Sequence, residues 1–299
     1  MTNVANFESL MDRLNAGERL TADELTELAS TPDILALGML ADGVRRRLHD
    51  TRVTYLRLAT CAFDEPLAEK VLPVAREVRL TGTPDSLQRA VTAVTQAKAV
   101  AGDRAVSGFS WPVIAALSKN DGTVSRVLEE LHNAGLDALA QLSLDEMPNP
   151  TAAIERVVAA GFDRLRLTID KAPAAERAQL FLLACDLQER LKCIQAIGPL
   201  PLSVNAFRPT TGYDDVKMVA IARLAAPNID TVQVDWMRYG PKLAQVALTF
   251  GADDLDAVGQ SDDAPDGRRR APLEEVRRNI EAAGFTPTER DGRFAVVGE

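Results

Sequence analysis

Along the chain, apolar positions switch repeatedly between a helical period and a strand period. In residues 124–135, Val124, Val127, Leu128 and Leu131 recur at i, i+3, i+4 and i+7, the stripe of an amphipathic helix, and Gly135 supplies its stop. In 165–169, Leu165, Leu167 and Ile169 alternate with Arg166 and Thr168, the pattern of a strand with two different faces. The same reading predicts strands at 53–58, 78–80, 105–111, 136–142, 194–204 and 231–236. Helices are predicted at 65–77, 87–100, 112–118, 151–160, 174–191, 214–225 and, opening on Pro241, at 241–250. About six or seven strand–helix units in succession make a parallel sheet, so the fold class is α/β, a partial or complete TIM-like (β/α) barrel.

Residues 1–50 read as a helical lead-in. A first helix over 7–16 stops at Gly17, a second opens at Thr21 with Glu24 three residues on, as in a capping box, and a third covers 34–48. The barrel then occupies 51–258. Residues 259–272, GQSDDAPDGRRRAP, are polar and aperiodic, which predicts a flexible loop; a helix over 273–283 and a short strand over 293–297 complete a C-terminal extension, 259–299.

Composition narrows the function classes. Hydrophobic residues at 46% and aromatic residues at 5% describe a chain with an aliphatic core. No stretch approaches the roughly 18 consecutive apolar residues of a membrane span, and the first residues carry no leader-like pattern, so a cytoplasmic location is expected. A net charge of −9, with Arg268–Arg270 as the one basic block, argues against nucleic-acid or anionic-membrane partners. The three cysteines, Cys61, Cys185 and Cys193, are too few and scattered for a disulfide framework.

Several segments in order carry a resemblance: AGERLTADEL and LALGMLADGVRRRLH in the lead-in, LEELHNAGLDAL, PTTGYDDVKMVAIARL and YGPKLAQVALTFGADDLDAV. They resemble one branch of the radical S-adenosylmethionine superfamily: aminofutalosine synthase, dehypoxanthine futalosine cyclase and the deazaflavin-forming synthase subunit, with aminofutalosine synthase the closest in kind. The resemblance implies a radical-type barrel with a C-x3-C-x2-C loop after its first strand, whose three thiolates hold a [4Fe–4S] cluster and leave one iron for S-adenosylmethionine. Here that place reads LATCAFDEP, so Cys61 is similar to the last cysteine of the motif and its two companions are missing. Cys185 and Cys193 are eight residues apart, about 12 Å if helical, too far for neighbouring corners of a cluster. Leu80-Thr81-Gly82-Thr83-Pro84 stands where the family has a glycine-rich turn, and Ala257-Val258 where it has Gly-Thr.

The expectation is a degenerate, cluster-less relative, with no cofactor and at most residual S-adenosylmethionine binding. It would act as a non-catalytic partner or regulator in the futalosine route to menaquinone, as a hetero-oligomer with an active radical paralogue or another protein of that route. The alternatives are a non-radical enzyme or binding protein that uses the emptied barrel for an aryl carboxylate or nucleoside-like ligand, and an aminofutalosine synthase proper. Parallel barrels bind ligands at the carboxyl ends of their strands, which selects Arg57, Ser110, Gln141, Asp170, Asn205, Arg208, Asp235 and Arg238, two arginines sufficing to fork a carboxylate. Cys61 is the vestigial cluster position and no metal site is expected. Asp253, Asp254 and Asp256 read as the structural or solvent-facing end of a barrel helix.

Overall fold

A computed structural model describes residues 4–202, 211–261, 263 and 271–298. Its helices are α1 (Val4–Asn15), α2 (Ala22–Ser30), α3 (Ile34–His49), α4 (Leu87–Ala101), α5 (Trp111–Asp121), α6 (Val124–Asn133), α7 (Pro150–Ala159), α8 (Ala174–Leu191), α9 (Gly212–Ala225), α10 (Trp236–Leu248) and α11 (Pro272–Ala282). The strands are β1 (Arg52–Ala62), β2 (Glu77–Thr81), β3 (Ala105–Ser110), β4 (Ala138–Ser143), β5 (Leu165–Ile169), β6 (Ile194–Pro199), β7 (Thr231–Asp235), β8 (Asp254–Gly259) and β9 (Thr286–Glu289). The hydrogen-bonded order β2-β3-β4-β5-β6-β7-β8-β1 returns to β2 through a β1–β2 ladder, with β9 added beside β1. The fold is therefore an eight-stranded parallel (β/α) barrel with a helical lead-in and a C-terminal extension.

The chain divides into two compact units: Met1–Thr54 with Thr168–Leu255 and Arg277–Pro287, and Tyr55–Leu167 with Asp256–Val276 and Thr288–Glu299. In the first unit α3 packs on α9, and α2 on α8 and α9. The predicted capping box of α2 is present, Glu24 accepting from the Thr21 amide at 2.7 Å while Thr21 Oγ1 accepts from Glu24 N at 3.3 Å. Arg223 of α9 lies fully buried and ties the turns around it together, donating to the Gly251, Ile229 and Asp230 carbonyls and to the Asp253 carboxylate. Gly251 is needed there: its φ is +98°, and a Cβ would come within 3.0 Å of Arg223 and of Ala41.

In the second unit the register sets the faces. Leu58 pairs with Glu77, Thr60 with Arg79 and Ala62 with Thr81, while Cys61 pairs with Leu80 on the alternate face. Because side chains alternate along a strand, Leu58, Thr60, Ala62, Glu77, Arg79 and Ser107 share the inner face. Val78, Leu80 and Cys61 share the outer one, buried at 0–1% exposure. Asp256 of β8 and Arg166 of β5 meet Arg79 and Glu77 from the inner side.

Four expectations need correction. Residues 65–77 are not helical: the β1–β2 connection, 63–76, is irregular, although Leu67, Val71 and Ala75 hold its apolar period and are buried. Pro73, inside the expected helix, removes a backbone N–H and clashes with the preceding turn, which leaves that stripe to be covered by turns. Asp254 and Asp256 belong to β8, an eighth strand missed because three acids look like a solvated end; they are 0% and 6% exposed, and Asp253 just before them 4%. Residues 293–297 form no strand but the return of a hairpin bridged at Arg290 and Val296. Finally, α7 opens one residue before the predicted 151, at Pro150, and is capped by Asn149. The polar loop expected over 259–272, Arg268–Arg270 included, lies largely outside the described residues.

Candidate functional site

The sequence resemblance implies a cofactor loop after the first strand, and in the structure that place is the segment connecting β1 to β2. Cys61 sits inside the β1–β2 ladder instead of in a loop, on the outer face, 1% exposed, and burial pushes its thiol pKa up. The connection beyond it forms a strap. Ala62 N donates to Glu65, which pairs with Lys70 at 2.6 Å; Phe63 N donates to the Thr81 carbonyl, and the Phe63 ring lies against Gly82. Gln260 accepts from Leu72 N and donates to the Lys70 carbonyl, and Arg104 donates to the Leu72 and Ala75 carbonyls. Cys185 is buried in α8, where burial and neighbouring acids push its pKa up to about 11 against the pull of Arg19, and Cys193 is buried just before β6. The residues at the end of β1 thus do not fit a three-thiolate cluster: one thiol is available there, and it points away from the inner face.

The expected ligand-binding residues separate into groups. Arg57 is a correction: β1 runs on to Ala62, so Arg57 lies mid-strand on the outer face, donating to Glu289, which also accepts from Arg76. Ser110 and Gln141 are paired across β3 and β4 at the carboxyl end, and Gln141 donates to Ser143 at 2.9 Å. In the first unit Asp170, Asp235 and Arg238 converge: Arg238 donates to Asp170 at 3.2 Å, and Asp235 caps α10 by accepting from the Met237 and Arg238 amides at 2.9 Å. The buried Arg177 fixes the same region by donating to the Ala172, Asp170 and Leu200 carbonyls. Asn205 and Arg208 lie outside the described residues. The arginine fork expected for a carboxylate is not assembled by Arg57, which is held by Glu289, nor by Arg238, which is held by Asp170.

Sequence reasoning missed the polar heart of the second unit. Glu77 accepts from Arg79, Arg166 and Ser107, with Arg166 at 2.9 and 2.5 Å and Ser107 at 2.5 Å. Arg79 also forks onto Asp256 at 2.7 and 3.1 Å. Burial alone raises the Glu77 pKa, but Arg166 and Arg79 outweigh it and hold the carboxyl at about 2; Asp256 is held low in the same way. These bonds engage Arg79 Nε, both Nη2 hydrogens and one Nη1 hydrogen, so one Nη1 hydrogen is left over among the described residues. Above this floor Thr60 and Thr81 are exposed although they stand on the inner face, so space is open there. The available signal was the alternation of Arg166 with Leu165 and Leu167 and of Glu77 and Arg79 with Val78 and Leu80, which places these charges together on one strand face opposite the apolar one.

Known proteins share both the sequence pattern and the barrel. The CofH/MqnC C-terminal region matches residues 202–297. A 5-amino-6-(D-ribitylamino)uracil–L-tyrosine 4-hydroxyphenyl transferase from Archaeoglobus fulgidus is 28% identical over 64% of this chain and 65% of that protein. The cyclic dehypoxanthine futalosine synthase of Streptomyces coelicolor is 23% identical over 97% of the chain and 88% of its own length. The aminodeoxyfutalosine synthase of Thermus thermophilus is 24% identical over 96% and 95%. Over nearly its whole length the chain is similar to this branch of radical S-adenosylmethionine proteins. Identities of 23–28% to three differently named members do not single out one activity within the branch. Solved radical-type barrels share the fold: methylornithine synthase (PylB) at a TM-score of 0.67 and 15% identity over 93% of the chain and 97% of that protein, and the hydrogenase maturase HydG of Carboxydothermus hydrogenoformans at 0.66 and 12% over 95% and 79%.

Proposed function

We propose that this homologue works without a cluster, as a non-catalytic partner or regulator of an active radical enzyme or another protein of the futalosine route to menaquinone, in the cytoplasm. The observation that carries the reading is the β1–β2 strap: one cysteine, buried on the outer face of β1, followed by an irregular connection without a second thiol. The family resemblance supplies the route, since the relatives from Streptomyces and Thermus are named for futalosine compounds. Anaerobic iron–sulfur reconstitution tests the absence of the cluster. Well below one cluster per chain and no reductive cleavage of S-adenosylmethionine are expected; about four irons per chain with 5′-deoxyadenosine release would establish a radical enzyme instead, the aminofutalosine synthase reading among them. Purification of the tagged full-length chain from its native host tests the partnership, which requires a radical paralogue or other pathway protein at stoichiometric yield.

A second reading is favoured by one feature, the exposed inner-face hydroxyls of Thr60 and Thr81 above the Arg79–Asp256 floor. On it the emptied barrel is a non-radical enzyme or binding protein. Hydroxyls and a single spare guanidinium N–H suit a neutral, nucleoside-like ligand better than an aryl carboxylate, because Arg57 and Arg238 are each engaged by an acid. Calorimetric titration of iron-free protein with adenosine and with 4-hydroxybenzoate separates the two: saturable adenosine binding weakened by Thr60→Val supports this reading, and heat from neither compound removes it.

A further inference from the structure

The amino end of the strands in the second unit is occupied by a piece of backbone that no strand supplies. Residues 289–297 form a self-bonded hairpin. Asp291 N donates to the Ala295 carbonyl at 2.8 Å and Val297 N to the Glu289 carbonyl at 2.9 Å, while the Asp291 carboxylate accepts from the amides of Arg293 and Ala295. Phe294 turns the chain at φ +65°, its ring 4.0 Å from the Arg290 guanidinium and 5.3 Å from that of Arg166.

The hairpin is seated through polar contacts. Arg166 donates to the Gly292 carbonyl at 2.7 Å, and Arg290 N to the Tyr55 carbonyl at 3.1 Å. Arg293 reaches the Asp103 carbonyl and Asp137, both at 2.7 Å, and Glu289 accepts from Arg57 and Arg76. Gly292 is the tightest point: a Cβ there would lie 2.7 Å from the Ala105 Cβ and 2.8 Å from Glu77 Oε2. The backbone therefore lies directly beneath the Glu77–Arg166 pair and covers it.

We propose that this hairpin is a plug that opens as a unit from a barrel that stays folded, and so governs whether water reaches the Glu77–Arg79–Arg166–Asp256 network from below. Two properties favour it. The segment carries its own turn bonds, so it leaves without losing them. Its seat is made of hydrogen bonds and ion pairs rather than buried aliphatic packing, with Ala295 and Val297 exposed, and Arg290, 1% exposed and 4.0 Å from Asp256, is the buried anchor that sets the cost of opening. Arg166 is the positioning residue, since it touches both the hairpin backbone and the network.

Native-state hydrogen exchange of the full chain at several sub-denaturing urea concentrations tests the plug. The amides of residues 290–297 are expected to exchange together through an opening that is nearly independent of urea, and those of β3 only through a urea-dependent, global one. Gly292→Val should accelerate exchange across the hairpin by about tenfold or more and leave β6, β7 and α9 unchanged. Hairpin amides that follow the same urea-dependent rate as β3 in the unsubstituted protein would overturn the proposal, and that comparison stands even if the variant does not fold.

Discussion

At the scale of single residues, the buried ion network is the feature with the largest energetic consequence. Removing one partner of a fully buried, multiply bonded pair leaves the other charge stranded, so Glu77→Gln should destabilise the protein by about 3–5 kcal/mol, read as a fall in urea midpoint. The pH dependence has a definite sign. Glu77 is held at about 2 against an ordinary 4.5, so its contribution is complete above the unfolded value and disappears as pH falls from about 4.5 toward 2. Urea midpoints measured across that window should drop in the unsubstituted protein and stay flatter in Glu77→Gln. Gly251→Ala, strained at φ +98° and blocked by Arg223 and Ala41, should cost about 1–3 kcal/mol by the same measurement. Part of this was legible in the sequence: the alternation around Arg166 placed it on the face opposite Leu165 and Leu167. Which face was buried, and by what, was not, because Glu77, Arg79, Arg166, Asp256 and Gly292 are joined only through the closing of the sheet and the return of the tail.

At the scale of elements, the β1–β2 strap is held by contacts that a helix would not need. Arg104 and Gln260 satisfy its carbonyls and amides one by one, since an irregular segment cannot satisfy its own. Arg104→Ala should therefore loosen the strap and raise the rate at which a thiol reagent labels Cys61 by about tenfold, with Cys185 and Cys193 unchanged, as counted by mass spectrometry. Helices with clear stripes and caps, such as α2 and α6, were readable from periodicity and capping residues alone. The strap was not, because Leu67, Val71 and Ala75 keep a helical period while Pro73 interrupts the backbone that would realise it. The strand β8 was hidden for the opposite reason: Asp253 just before it and Asp256 within it pair with arginines, and Asp254 accepts from Gln233, all distant in sequence, which no local pattern reveals.

At the scale of the whole molecule, the barrel class and the ancestry were evident from strand–helix alternation and from segments in family order. The candidate site was only partly so. Asp170, Asp235 and Arg238 converge as strand-end reasoning suggests, whereas Arg57 does not, since its strand runs five residues further, to Ala62. The native-host purification and the reconstitution assay belong to this scale, because they ask what the chain does as a unit.

The alternation of faces along β1 also sets whether a three-thiolate motif could be built on that strand. Counting C-x3-C-x2-C backwards from Cys61 falls on Leu58 and Thr54, which point to the inner face while Cys61 points outward. Leu58 and Thr54 themselves stand about 13 Å apart along an extended strand. Cysteines introduced there could not meet around one cluster. A three-thiolate site on this strand therefore requires an inserted turn, and point substitutions at Thr54 and Leu58 alone should yield no variant that binds a cluster through Cys61.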